Sequence, residues 1–125
     1  MPPLRGLLID HGGVLTDGPE MLDLLRRARA AGRRTAVVSD AHAVPDEIAG
    51  LVDVLVLGPA LGVRKPDPEV FRRAAARLGL APGECVVVDD LPVNVRGARE
   101  AGAVVVRHVD PGVTVAEVEI LLDLP

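Results

Sequence analysis

The chain has 125 residues, 49% hydrophobic and 1% aromatic, with a formal net charge of −4 at pH 7. This apolar content and a mean hydropathy of +0.32 exclude a disordered chain, and no apolar run reaches the roughly 18 residues of a membrane span. The acidic balance, one Phe and no Trp or Tyr exclude a nucleic-acid surface, and one Cys excludes a disulfide framework or a multi-cysteine zinc site.

The elements alternate along the chain. Leu4 to Ile9 is an apolar run ending at Asp10, a first strand. Pro19 to Ala31 places Met21, Leu24, Leu25 and Ala28 at helical spacing, and Gly32 is its stop. Thr35 to Val38 is a second strand, ending at Ser39. Pro45 to Leu51 is at most a short helix. Val52 to Leu57 is a third strand, closed by Gly58-Pro59. Asp67-Pro68 caps a helix whose apolar positions are Val70, Phe71, Ala74, Ala75 and Leu78. Glu84 to Val88 is a fourth strand, ending at Asp89-Asp90. A helix from Pro92 to Ala101, a fifth strand from Val104 to Arg107 and a closing helix from Thr114 to Leu122 complete the pattern. Short, continuously apolar strands between helices imply an α/β fold: a Rossmann-like three-layer sandwich around a five-stranded parallel sheet. Without repeats, linkers or low-complexity tracts, residues 1–125 read as one domain. The opening MPPLRGLLID has no charged-then-apolar leader, so a cytoplasmic location is expected.

Composition singles out a few positions. Ser, Lys and Asn each occur once, as Ser39, Lys65 and Asn94, Gln does not occur, and 13 of the 14 basic residues are Arg. Biased coding explains the scarcity but not where the survivors sit. Asp10, Ser39 and Asp89-Asp90 end strands, Lys65 lies in the loop after the third strand, and Asn94 lies one turn beyond Asp90. In parallel α/β sheets these carboxyl ends carry function. Asp10 and Asp90 together suit a hard cation with oxygen ligands, such as Mg²⁺. A hydroxyl and an ammonium opposite it suit a phosphoryl group, and a carboxylate can attack phosphorus. Each residue also has a plainer use: Asp at a strand end is a helix cap, Ser a turn residue, Asn a solvated helix position.

Four stretches resemble the motifs of the haloacid dehalogenase-like hydrolases, in that family's order and over about residues 4 to 108. They are LLIDHGGVLTDG, VVSD, GVRKPDPEVF and VVVDDLPVNVRGAREAG. The resemblance implies Asp10 as nucleophile, Ser39 and Lys65 as catalytic, phosphate-binding residues, and Mg²⁺ held by Asp10, Asp90 and the Gly12 carbonyl. Asp89 and Asn94 would support these groups from behind. It further implies strand order 5-4-1-2-3, a small flap at Val14 to Gly18, and a phosphorylated substrate. Response-regulator receivers carry a similar residue set, but in another chain order.

Two departures stand out. Family phosphatases usually carry a second Asp two residues after the nucleophile, as acid and base; here that position is Gly12. His11 is expected on the other side of the sheet by strand alternation, Asp17 and His42 lie on nearby loops, and His108 falls far from the set. Relatives with this third motif also insert a helical cap between the first two motifs, yet Asp10 and Ser39 are only 29 positions apart. A capless site is expected. It is open to a large substrate, a partner or a neighbouring subunit of a homo-oligomer, and Arg26, Arg27 and Arg29 border such a surface or form a solvated helix face. A Mg²⁺-dependent phosphatase is the leading expectation, a non-catalytic binding or regulatory domain the alternative, and a 2-haloacid dehalogenase the last.

Overall fold

The computed structural model describes residues 3–125. Its strands are β1 (Gly6–Ile9), β2 (Arg34–Ser39), β3 (Val54–Leu57), β4 (Cys85–Asp89) and β5 (Val104–Arg107). Its helices are α1 (Pro19–Ala30), α2 (Asp46–Ala49), α3 (Gly58–Leu61), α4 (Pro68–Arg77), α5 (Pro92–Glu100) and α6 (Pro111–Leu121). All strand pairs are parallel, in the order β3-β2-β1-β4-β5. This is the expected order read from the other edge.

Alternating side chains feed two cores. Leu7, Ile9, Val37, Val86 and Val88 pack with Met21, Leu24 and Leu25 of α1 and Val118 of α6. Leu8, Val38, Val56 and Val87 pack with Val70, Phe71 and Ala74 of α4 and Ala98 of α5. Helices therefore cover both faces, which is why the strands are apolar throughout. Phe71, the sole aromatic, is 1% exposed; burying it contributes about 3 kcal/mol.

Local signals set the helix ends. The Asp67 carboxylate accepts the Glu69 N–H at 2.9 Å with Pro68 in the first turn, and Gly32 at φ +81° follows α1. The structure revises some expected boundaries. α6 begins at Pro111, because Asp110 caps it by accepting the Val113 N–H at 3.0 Å. The stretch after β3 is a helical turn, since Pro59 suits a first turn and Gly62 at φ +78° ends it. Val14 and Leu15, expected in a flap, are core residues; only Thr16 to Gly18 is left outside the core.

Two features position the site. The chain reverses direction across the sheet between β1 and β4, so their carboxyl ends open into a switch-point crevice. Between β1 and β2 there is only a turn and α1, so no cap domain is inserted there. Among the described residues, no helix is long and apolar enough to cross a membrane.

Candidate active site

Asp10 leaves β1 still tied to the sheet, its N–H donating to Val88 O at 3.0 Å. Its carboxylate thus sits where β1 and β4 separate. Oδ1 accepts the His11 N–H at 2.9 Å and the Lys65 ammonium at 3.0 Å. Lys65 is 7% exposed and donates from Nζ also to Val38 O at 3.0 Å and to Asp89 Oδ2 at 2.8 Å. All three of its N–H groups are therefore committed. A buried ammonium is costly unless it is paired and fully bonded, and here it is both.

Asp89 is saturated from behind. Its Oδ1 accepts the Leu91 N–H at 3.0 Å, and Asn94 Nδ2 lies 3.2 and 3.3 Å from its two oxygens. Asn94, buried on the first turn of α5, thus braces the carboxylate that braces Lys65. Asp90, half-buried, has no hydrogen-bond or ion-pair partner among the described residues. The carboxylates of Asp10, Asp89 and Asp90 offer oxygens within 4.8 Å of one another.

This arrangement fits a divalent cation. Three carboxylates against one ammonium leave two negative charges in the crevice. The uncommitted oxygens are Asp10 Oδ2 and those of Asp90, while Asp89 is bound up by Lys65, Leu91 and Asn94. Burial pushes the Asp10 carboxyl up to about 6; Lys65 opposes this, and the charges of Asp89 and Asp90 add to it. Burial also works against the Lys65 charge, but Asp10 and Asp89 outweigh it and hold the ammonium above its usual range.

The turn after Asp10 is shaped by two glycines. Gly13, at φ +82°, has no room for a side chain, because a Cβ would collide with the Asp90 carboxylate. Gly12 is the opposite case: exposed, at φ −66° and ψ 125°, with nothing within 4 Å of a Cβ built on it. Its lack of a side chain is not imposed by space or backbone.

Ser39 closes β2 beside Leu57 of β3 and is buried. Its Oγ accepts the Ala41 N–H at 3.1 Å and keeps its own proton to donate. Nothing in the sequence singles out Asp40. Its Oδ1 accepts the backbone N–H of Lys65 at 3.0 Å and ties the end of β2 to the Lys65 loop. Gly97 is a second residue that the fold brings to this loop. A Cβ there would strike the Pro66 backbone, so α5 approaches the Lys65 loop only because this residue is glycine. A glycine inside a helix, costing ~1 kcal/mol against Ala, was the available signal.

The other nominated residues fall differently. His108 is buried: Nδ1 lies 2.7 Å from Thr114 Oγ1 and Nε2 2.7 Å from Asp17 Oδ2. Asp17 therefore latches the turn after β1 to β5 and α6, and its carboxylate is engaged there. His11 lies beyond the end of β1, so strand alternation does not govern it. Arg27 and Arg29 pair within the chain, with Glu119 at 2.8 Å and Asp53 at 3.2 Å. The Cys85 thiol is buried and pushed up to about 11, mainly by burial, so it stays protonated and is not a nucleophile.

Comparison with known proteins adds to this geometry. A sequence model of the haloacid dehalogenase-like hydrolases matches residues 8–102. Mouse acyl-CoA dehydrogenase family member 10 is 32% identical over 86% of this chain and 11% of its own length. A glyceraldehyde 3-phosphate phosphatase of Methanopyrus kandleri is 35% identical over 71% of this chain and 42% of its own. The chain thus spans less than half the length of these curated relatives. The crystal structure of an uncharacterized protein from Corynebacterium glutamicum superposes with a TM-score of 0.88 at 35% identity, covering 98% of this chain and 97% of that one.

Proposed function

The chain belongs to the haloacid dehalogenase-like hydrolase family, and from that premise we propose that it is a magnesium-dependent phosphohydrolase working through an aspartyl-phosphate on Asp10. One observation carries the proposal. Lys65 is clamped between Asp10 and Asp89 at 3.0 and 2.8 Å, while Asp10 Oδ2 and Asp90 stay uncommitted at the switch point. A buried, fully bonded cation against one oxygen leaves the other free to react.

The residues divide the work. Asp10 Oδ2 attacks phosphorus, the bond from phosphorus to the leaving oxygen breaks, and the leaving group departs with the electron pair. Ser39 donates a hydrogen bond from its hydroxyl to a phosphoryl oxygen. Lys65, with its N–H groups already committed, acts as a fixed positive charge that offsets repulsion between carboxylate and phosphate. Asp89, Asn94 and Asp40 hold Lys65 in place. Asp10, Asp90 and the Gly12 carbonyl would hold Mg²⁺, which supplies charge neutralisation of the phosphoryl oxygens when bound. Water then attacks phosphorus, releases phosphate and frees Asp10.

Gly12 limits this chemistry. No side chain stands ready there to protonate the leaving oxygen, and Asp17 is engaged by His108. Leaving groups that need little protonation, such as aryl, acyl or anhydride groups, are therefore the expected ones. The same glycine favours a second reading, a domain that binds Mg²⁺ and phosphate without turnover.

Hydrolysis of para-nitrophenyl phosphate tests both readings. Turnover that requires Mg²⁺ and vanishes in Asp10→Asn is expected. Turnover that survives Asp10→Asn would overturn the nucleophile, and none across a broad phosphate panel would favour the binding domain.

A further inference from the structure

A cleft of about 470 Å³ opens at the carboxyl ends of β2 and β3, lined by Asp40, His42, Gly58, Pro59, Val63 and Arg64 among others. Its volume lies in the range of small-molecule sites. The cleft adjoins the candidate phosphate groups through the chain itself. Asp40 directly follows Ser39, and Arg64 directly precedes Lys65. Asp40 Oδ1 accepts the Lys65 N–H at 3.0 Å, which joins the two walls. Gly58 lets them approach: a Cβ there would lie 3.0 Å from Asp40 Oδ1 and 3.3 Å from Arg64 Cβ.

Arg64 is the one arginine or lysine that lines this cleft. Arg27, Arg29, Arg73 and Arg77 each bond a carboxylate or carbonyl elsewhere in the chain. Arg64 has no such partner among the described residues and is an exposed residue of the cleft wall. A guanidinium fork matches a carboxylate or phosphate in two parallel hydrogen bonds. Asp40 keeps one oxygen uncommitted, so it can accept from a hydroxyl, and His42 adds a second polar group. Pro59 and Val63 offer apolar surface to the body of a ligand.

We infer, on the phosphohydrolase reading above, that this cleft is the leaving-group subsite. The preferred substrate is then a phosphomonoester whose leaving group bears a second anionic group, received by Arg64. The cleft supplies, within the core fold, the recognition surface that the short segment between β1 and β2 does not.

Two esters of equal size test this: 4-carboxyphenyl phosphate and the neutral 4-carbamoylphenyl phosphate. Wild-type protein should prefer the carboxylate by about 10-fold in kcat/KM, through KM, the worth of one charge-assisted hydrogen bond. Arg64→Ala should remove the preference and Arg64→Lys keep part of it. Equal KM values in the wild type, or a preference that persists in Arg64→Ala, would overturn the subsite. Should para-nitrophenyl phosphate turn over and neither ester do so, the subsite is overturned; should none of the three turn over, the phosphohydrolase reading fails, and titrating both esters into magnesium-loaded protein tests the cleft alone. Tighter binding of the carboxylate, lost in Arg64→Ala, then supports the subsite; equal binding overturns it.

Discussion

The two halves of the crevice are built in opposite ways. At the ends of β1 and β4, the half-buried Asp10 and the buried Lys65, Asp89 and Asn94 form a chain of bonded groups. At the ends of β2 and β3, beyond Ser39, His42 and Arg64 are exposed along an open cleft. The first half is preorganised: its charges are held by partners that do not depend on a ligand. The second half leaves its polar groups to whatever enters. Reaction and recognition are thereby assigned to different strands, joined where Asp40 accepts the Lys65 N–H.

The largest effect should come from completing the first half. Gly12 has space and an ordinary backbone conformation for a side chain. Gly12→Asp should therefore fold normally and raise turnover of an alkyl phosphate such as glycerol 3-phosphate by about 10²-fold or more. Steady-state rates on alkyl and aryl esters check it, and an equal gain on both would argue against a proton-transfer role at position 12.

Next in size is loss of the central cation. Lys65→Met leaves Asp10 and Asp89 buried against each other without their shared partner. Stability should fall by about 3–5 kcal/mol, read as a shifted denaturation midpoint, and turnover should drop to background. Retention of turnover would break the division between a preorganised half and an open one.

A smaller change probes how the Lys65 loop is held. Gly97→Ala pushes a methyl group against the Pro66 backbone. It should cost about 1–3 kcal/mol and lower turnover, although position 97 carries no chemistry. A Tm that falls with turnover unchanged would show that the loop gives way without moving Lys65.

The least effect concerns pH. The folded-state pKa of Asp10, about 6, lies above its ordinary value of 3.8. The folded state then holds the proton more tightly, so this stabilisation is complete below about pH 4 and is lost as pH rises to about 6. In magnesium-free buffer at pH 7, Asp10→Asn should raise Tm by about 5 °C, and the difference should close near pH 4. Thermal melts at the two pH values measure this.

Much of this was legible in the chain. Continuous apolar runs such as VVV before Asp89 required a sheet covered on both faces. Asp67-Pro68 and Gly32 marked helix ends because their backbone chemistry is local. The single Lys and the single Asn marked groups that the fold bonds to Asp10 and Asp89. Other features depended on contacts distant in sequence. His108 lies 91 positions from Asp17, and nothing in its neighbourhood indicates that pairing. Asp40 and Gly97 act on the Lys65 loop from β2 and α5, which only packing brings there.

Periodicity, caps and scarce residue types are properties of neighbours along the chain, and so the sequence alone determined the layers, the strand ends and the residues nominated there. Which oxygens stay free is a different kind of question. Asp89 and Asp90 are adjacent, yet one is saturated by Lys65, Leu91 and Asn94 while the other is left uncommitted. Likewise only the folded chain sets Arg64 on an open wall while Arg27 and Arg29 are tied down. A group's charge is written in its sequence, but its availability depends on what the fold packs against it.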